Sequence, residues 1–198
     1  MPLRPATTTL RTAETSVPII SELARRWSPR SFDPEATIAD AQLDALLEAA
    51  RWAPSASNNQ PRRFIVARRG THTFDTIVSA LVGFNAAWAH TASALIVGIA
   101  ETSSVEGDVR PYAQYDLGQA VAHLTVQAEA EGLATHQMAG VEWEKIVAAF
   151  DLPENMVPMT VTAVGTAAEA DRLPEALAER ETAPRTRLPL EELVLLRS

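Results

Sequence analysis

Apolar residues recur at helical spacing in LDALLEAARWA, where Leu43, Leu46, Leu47 and Ala50 form one stripe. Thr37 and Asp40 precede it as capping candidates. A shorter helix is predicted over 17–25, with Ile19, Ile20 and Leu23 on one face, and a weaker one over about 73–81. A turn at Gly83 then leads to a segment at 86–90. The longest helical pattern covers about 115–131 and stops at Gly132. Its small residues Gly118, Ala120, Ala122, Ala128 and Ala130 permit close packing, either inside a subunit or across an interface. A segment at 134–138 leads into a helix over about 142–150, and the charged stretch 172–180 predicts an exposed helix. Strand patterns are FIVA at 64–67, the continuous apolar run ALIVGIA at 94–100, and the alternating MVPMTVTAVG at 156–165. A run without polar breaks predicts a strand covered on both faces. Three or four short strands set among helices predict a layered α+β domain. No repeat or low-complexity linker divides the chain, so 1–198 is expected to be a single domain with a polar N-terminal arm over 1–15.

Composition narrows the function. The 198 residues are 46% hydrophobic and 21% charged, ordinary for a globular protein with a sizeable core. A net charge of −8 excludes a general nucleic-acid binder, which needs a basic face. Any anion site must therefore be a local cluster of cations, and all the basic residues except Lys145 are arginine. The absence of cysteine removes disulfides, thiolate metal sites and cysteine nucleophiles. His72, His90, His123 and His136 lie too far apart for a metal pattern, and His123, inside the long helix, is expected to be a packing residue. No apolar run is long enough to span a bilayer, and the N-terminus has no apolar signal core, so a cytoplasmic protein without membrane or nucleic-acid partners is expected.

Three segments carry candidate chemistry. PSASNNQP, at 54–61, packs hydroxyl and amide groups between two prolines at the exit of a helix. Prolines fix φ and bar helix continuation, so this is a rigid loop. Its groups both donate and accept hydrogen bonds, which suits a flat heteroaromatic ligand and equally a stiff turn that satisfies its own backbone. RRWSPRSF, at 25–32, gathers Arg25, Arg26, Ser28 and Arg30 in a stretch that proline keeps from being one helix. Arginine forks with a serine hydroxyl are the groups that hold a phosphate monoester. PRTRLP, near the C-terminus, places Arg185 and Arg187 on one side if extended. Taken singly, each arginine pair also reads as a solvated surface.

In this order, together with FNAAWAHTASALIVG and the helix YDLGQAVAHLTVQAEAEGL followed by ATHQMAG, these segments resemble the FMN-dependent nitroreductase family over about 25–193. The resemblance implies a three-layer α+β fold, a mixed central β-sheet flanked by helices, in an intertwined homodimer with FMN sites at the subunit interface. A C-terminal arm, about 184–198, would reach the partner. It also implies roles. Arg26, Ser28, Arg185 and Arg187 would grip the FMN phosphate beside Trp27, with Arg30 near the ribityl chain and pyrimidine edge. Pro54, Ser55, Ala56, Ser57 and Asn58 would contact the flavin of the other subunit, and Asn85 its pyrimidine edge. In the turn Gln137, Met138, Ala139 and Gly140, the backbone of Ala139 and Gly140 would face flavin N5. Gly140 also reads as a plain turn before the next helix.

The chain departs from the family pattern at several positions. Trp88 stands where a basic residue is common, Trp27 where Arg or His is common, and Arg62 replaces a tryptophan after Gln60–Pro61. Arg62 reads as a surface charge in preference to a contact for a nicotinamide phosphate. The short 101–111 loop leaves no lid helices, so an open substrate site is expected, with Phe84, Tyr112 and Tyr115 as stacking walls or core residues. No side-chain catalyst, nucleophile elbow or Rossmann fingerprint is expected, because the flavin carries the chemistry. The implied activity is FMN-dependent oxidation of NADH or NADPH with ping-pong reduction of nitroaromatics, quinones or similar planar acceptors. The alternatives are an FMN-binding or regulatory protein with little turnover, kept open by Trp88, and a specialised relative such as a reductive dehalogenase or a flavin-fragmenting enzyme.

Overall fold

Residues 11–198 are described by the computed structural model, so the first ten residues of the expected N-terminal arm lie outside the described residues. Strands β1 (Arg62–Arg68), β2 (Ala94–Glu101), β3 (Ala134–Met138) and β4 (Met156–Gly165) form a four-stranded sheet in the order β1-β2-β4-β3. Every residue of β2 is buried, as its unbroken apolar run predicts. Its side chains alternate between two cores. Leu95, Val97 and Ile99 face one layer, while Ala94 and Ile96 face the other.

Helices α3 (His72–Ser79) and α5 (Trp143–Ala149) cover the first face through Phe74, Ile77 and Ile146. Helices α2 (Asp40–Arg51) and α4 (Ala113–Ala130) cover the second through Leu43, Leu46, Ala50, Ala120, Leu124 and Ala128. Fully burying an aliphatic side chain such as Leu46 contributes about 1.5–3 kcal/mol. The result is the three-layer α+β arrangement. The sheet itself is not mixed: all three pairings are antiparallel, and β1 and β3 are left as edges. A parallel neighbour would have to come from a strand beyond these four.

Several elements differ from their sequence patterns. The expected helix over 17–25 contracts to α1 (Ser21–Arg25), and Val17, Ile19, Ile20 and Leu23 are exposed instead of forming a buried face. Neither Thr37 nor Asp40 caps α2: Gln42 Oε1 reaches back to accept the Ala39 N–H at 3.3 Å, and Asp40 pairs with Arg68. The segment at 134–138 is a strand, β3. The charged helix is α6 (Glu175–Thr182), which is not wholly exposed, since Leu177 and Glu181 point inward. A last turn, α7 (Leu190–Leu193), lies in a C-terminal segment whose Leu188, Leu193, Leu195 and Leu196 are exposed. On α4, Ala120 and Ala128 pack inward, whereas Gly118, Ala122 and His123 face out, so His123 is not a packing histidine. No helix among the described residues is long and apolar enough to cross a membrane.

Candidate functional site

The sharp proline-broken turn after α1 and the chain following α6 meet in a cavity of about 230 Å³. Its lining includes Arg26, Trp27, Ser28, Arg30, Arg185 and Arg187, so the fold brings the two arginine segments together, and Arg11 and Arg180 join them. Arg26 Nη1 lies 3.5 Å from Ser28 Oγ. Burial, then the like charge of Arg187, holds the Arg26 guanidinium below its usual pKa. Burial also lowers Arg185, with the charges of Arg26, Arg187 and Arg11 adding to it. Cations crowded in this way are stabilised by an anion among them.

The arginines do not share one task. Arg185 donates to the main-chain carbonyls of Arg11, Ala24 (3.2 Å) and Arg26 (2.9 Å), tying the N-terminal segments to the C-terminal one. Its fork therefore builds the pocket wall, whereas Arg187 is exposed and, among the described residues, donates only to the adjacent Thr186 carbonyl. Arg11 lies over the Trp27 ring at 4.7 Å, which gives Trp27 a structural use in place of a donor.

Next to this pocket is a second corner. The Arg180 guanidinium sits 4.5 Å from the centre of the exposed Phe84 ring, and the adjacent Asn85 donates from Nδ2 to the Gly140 carbonyl at 3.4 Å. A Cβ at Gly140 would come within 2.9 Å of Asn85 Nδ2, so glycine is what lets the amide approach this turn. Asn85 and Gly140 thus meet through elements far apart in sequence. The neighbouring side chains do not converge there: Met138 is in the core, and Gln137 Nε2 donates to Thr125 Oγ1 on α4 at 3.2 Å. Only their backbones remain candidates.

The 54–61 loop is distant from the arginine pocket. It makes a 3₁₀ turn, Ala56–Asn58, with Ser57, Asn58 and Gln60 at φ +50°, +56° and +47°, a conformation side chains seldom adopt. Ser55 Oγ accepts the Gln60 N–H at 3.1 Å, so part of the loop does satisfy its own backbone, while Pro54, Ser57 and Asn58 are exposed. Asp116 Oδ2, in the first turn of α4, accepts the Ala56 N–H at 3.1 Å. The arginine pocket lies by the other end of α4, where Arg25 Nε meets Glu129 at 3.4 Å. Thirteen helical residues separate Asp116 from Glu129, about 20 Å. Within one chain, the loop and the arginines are therefore at opposite ends of α4. Tyr112 and Tyr115 are exposed at the loop's end and are not core.

Two departures have structural explanations. Arg62 is not a surface charge: it is 8% exposed, burial lowers its pKa, and it donates to the Arg51 carbonyl behind the loop. Trp88 is 1% exposed, with ring centres 6.0 Å from Phe32 and 4.6 Å from His136. It is a core residue and does not face either corner. His136 Nδ1 lies 2.9 Å from the Pro29 carbonyl, which only accepts, so Nδ1 carries the proton. Burial pushes the His136 pKa down to about 4, and the charge of Arg30 adds to this against the opposing Pro29 hydrogen bond.

Asp116, His136, Arg180 and Glu181 are site-supporting residues that the sequence patterns did not single out. The one legible signal was the spacing of Leu177 and Glu181, which puts both on the buried face of α6. Among the described residues no cluster of metal-ligating side chains occurs.

Known proteins resemble this chain in sequence and in fold. The sequence model of the nitroreductase family matches residues 23–93. The chain superposes with a TM-score of 0.88 on an oxidoreductase containing FMN, at 34% identity over 95% of this chain and 96% of that one. A nitroreductase family protein from Clostridium difficile 630 gives a TM-score of 0.69 at 25% identity, over 89% of this chain and 97% of that one. An uncharacterized 15.4 kDa protein in the ask 5′ region of Mycolicibacterium smegmatis is 41% identical over 139 residues, 66% of this chain and 92% of that protein. The antiparallel sheet between two helical layers is a nitroreductase-like fold. This chain belongs to the nitroreductase family.

Proposed function

We propose that this protein is an FMN-dependent oxidoreductase that oxidises NADH or NADPH and reduces nitroaromatics, quinones or similar planar acceptors. The observation carrying the reading is the arginine pocket adjoining the Asn85–Gly140 corner. The pocket suits a phosphate monoester of about −1.5 to −2 charge, and the glycine turn suits close approach of a planar ring. When bound, FMN would supply the hydride chemistry itself.

The chain's residues bind and orient. Arg26, Ser28 and Arg187 hold the phosphate, while Arg185 holds the segment that carries Arg26. Arg30 lies towards the pyrimidine edge, where positive charge favours the reduced cofactor. Asn85 would address the ring edge, and the backbone at Ala139 and Gly140 would face N5.

The separation of the 54–61 loop along α4 supports a homodimer, in which Pro54, Ser55, Ala56, Ser57 and Asn58 complete the site of the partner. The exposed leucines of the C-terminal segment, together with Gly118 and Ala122 on the outer face of α4, suit such an interface. Donor and acceptor would use one open face in turn, giving ping-pong kinetics. We place the protein in the cytoplasm and read 1–198 as one domain. Trp88 is packed in the core and brings no cation to this position, which keeps an FMN-binding or regulatory protein with little turnover as the second reading.

Anaerobic addition of NADPH, then NADH, to the FMN-loaded protein tests the reading. Bleaching of the yellow chromophore is expected with at least one donor. A protein that binds FMN but is bleached by neither is a flavin carrier, and one that takes up no FMN refutes the assignment.

A further inference from the structure

Glu181 is 2% exposed at the inner face of α6, with its carboxylate directed at the segment that carries Arg30. Its Oε1 accepts the Arg30 N–H at 2.8 Å and the Ser31 N–H at 3.0 Å, and Oε2 lies 3.0 Å from the same Arg30 nitrogen. The Arg30 guanidinium is 3.6 Å from Oε2. Among the described residues, Arg30 is the arginine of this pocket that has a carboxylate within ion-pairing distance. The side-chain donors of Arg11 and Arg185 go to main-chain carbonyls, and Arg180 lies on an aromatic ring.

The placement divides the cluster electrically. Glu129 acts on Arg26 through its charge, whereas Arg30 has a buried carboxylate within ion-pairing distance that partly cancels its positive charge. In a partly desolvated site a charge pair of this kind sets the local potential, because water does not screen it. Arg30 lines the arginine pocket together with Arg180, whose guanidinium reaches over Phe84 beside Asn85.

We propose that Glu181 is a positioning residue and a built-in counter-charge that holds down the reduction potential of the bound flavin by attenuating Arg30. The inference rests on the FMN reading given above. Two main-chain hydrogen bonds fix where Arg30 begins, and the carboxylate's charge sets how strongly Arg30 favours negative charge developing on the pyrimidine edge.

Glu181→Gln separates the two roles, since the amide oxygen still accepts from Arg30 and Ser31 while the charge is lost. The measurements are FMN affinity by fluorescence titration of the apoprotein and the two-electron midpoint potential by spectroelectrochemistry. E181Q is expected to fold and bind FMN, with the balance moved towards the reduced cofactor about tenfold, roughly 30 mV upward. Arg30→Gln carries the test if E181Q does not fold, and it should move the potential downward. A loaded E181Q whose potential is unchanged or lowered, or an R30Q whose potential is unchanged or raised, overturns the inference. Wild-type protein that takes up no FMN overturns the flavin reading itself, and this inference with it.

Discussion

Acidification from pH 7 to pH 5 is expected to remove about 2 kcal/mol of stability through His136. The ring is packed against Trp88, and burial holds its pKa at about 4, whereas an unfolded chain titrates at the ordinary value near 6.5. Between those values the unfolded state binds more protons than the folded one, so stability falls as the pH drops through 6.5. The loss is complete below about pH 4, at roughly 3 kcal/mol for the full shift. The proton has nowhere favourable to go in the fold: Nδ1 already donates to the Pro29 carbonyl, and Arg30 opposes a second positive charge. Urea unfolding of wild type and His136→Gln at pH 7 and pH 5, at fixed protein and flavin concentration, isolates the effect. The substitution costs stability at pH 7 by removing the stacked ring, but it should flatten the pH dependence by about 2 kcal/mol. Parallel pH profiles for the two proteins would show that His136 titrates normally and that its burial carries no linkage.

Replacing both Arg26 and Arg187 by alanine should weaken FMN binding by a hundredfold or more, since each charge-assisted contact is worth about 1.5–3 kcal/mol; unchanged affinity in a fluorescence titration refutes the phosphate assignment. Gly140→Ala should displace the Asn85 side chain, because the added Cβ falls 2.9 Å from Nδ2, and lower flavin affinity about tenfold with little change in Tm. An unaffected affinity would mean that Asn85 does not contact the cofactor. Trp88→Lys should unfold the protein by several kcal/mol, because an ammonium would replace a ring that is 1% exposed; a folded, FMN-loaded variant with a raised potential would place this position at the flavin after all. Sedimentation at micromolar concentration should show a homodimer, and a flavin-loaded monomer would contradict the shared site.

The amino-acid sequence determined the layered class of the fold and much of its element order, because burial imprints a period. The unbroken run of β2 required a strand covered on both faces, and the stripe on α2 required a helix on a sheet. It also marked the arginine and proline-bounded segments, because charge clusters and fixed φ angles are local properties. Where the driving force was not local, the patterns misled. Ile19 and Ile20 looked like a buried helix face, yet no core reaches them, and Arg62 looked like a surface charge although it is buried. Only the tertiary structure decided that Arg185 braces backbone carbonyls far along the chain while Arg187 donates to that of its neighbour, that Glu181 faces Arg30, and that α4 holds the 54–61 loop about 20 Å from the arginines. Those outcomes depend on which buried donors and acceptors meet across more than a hundred residues of chain, and each such pairing is set by the packed interior as a whole.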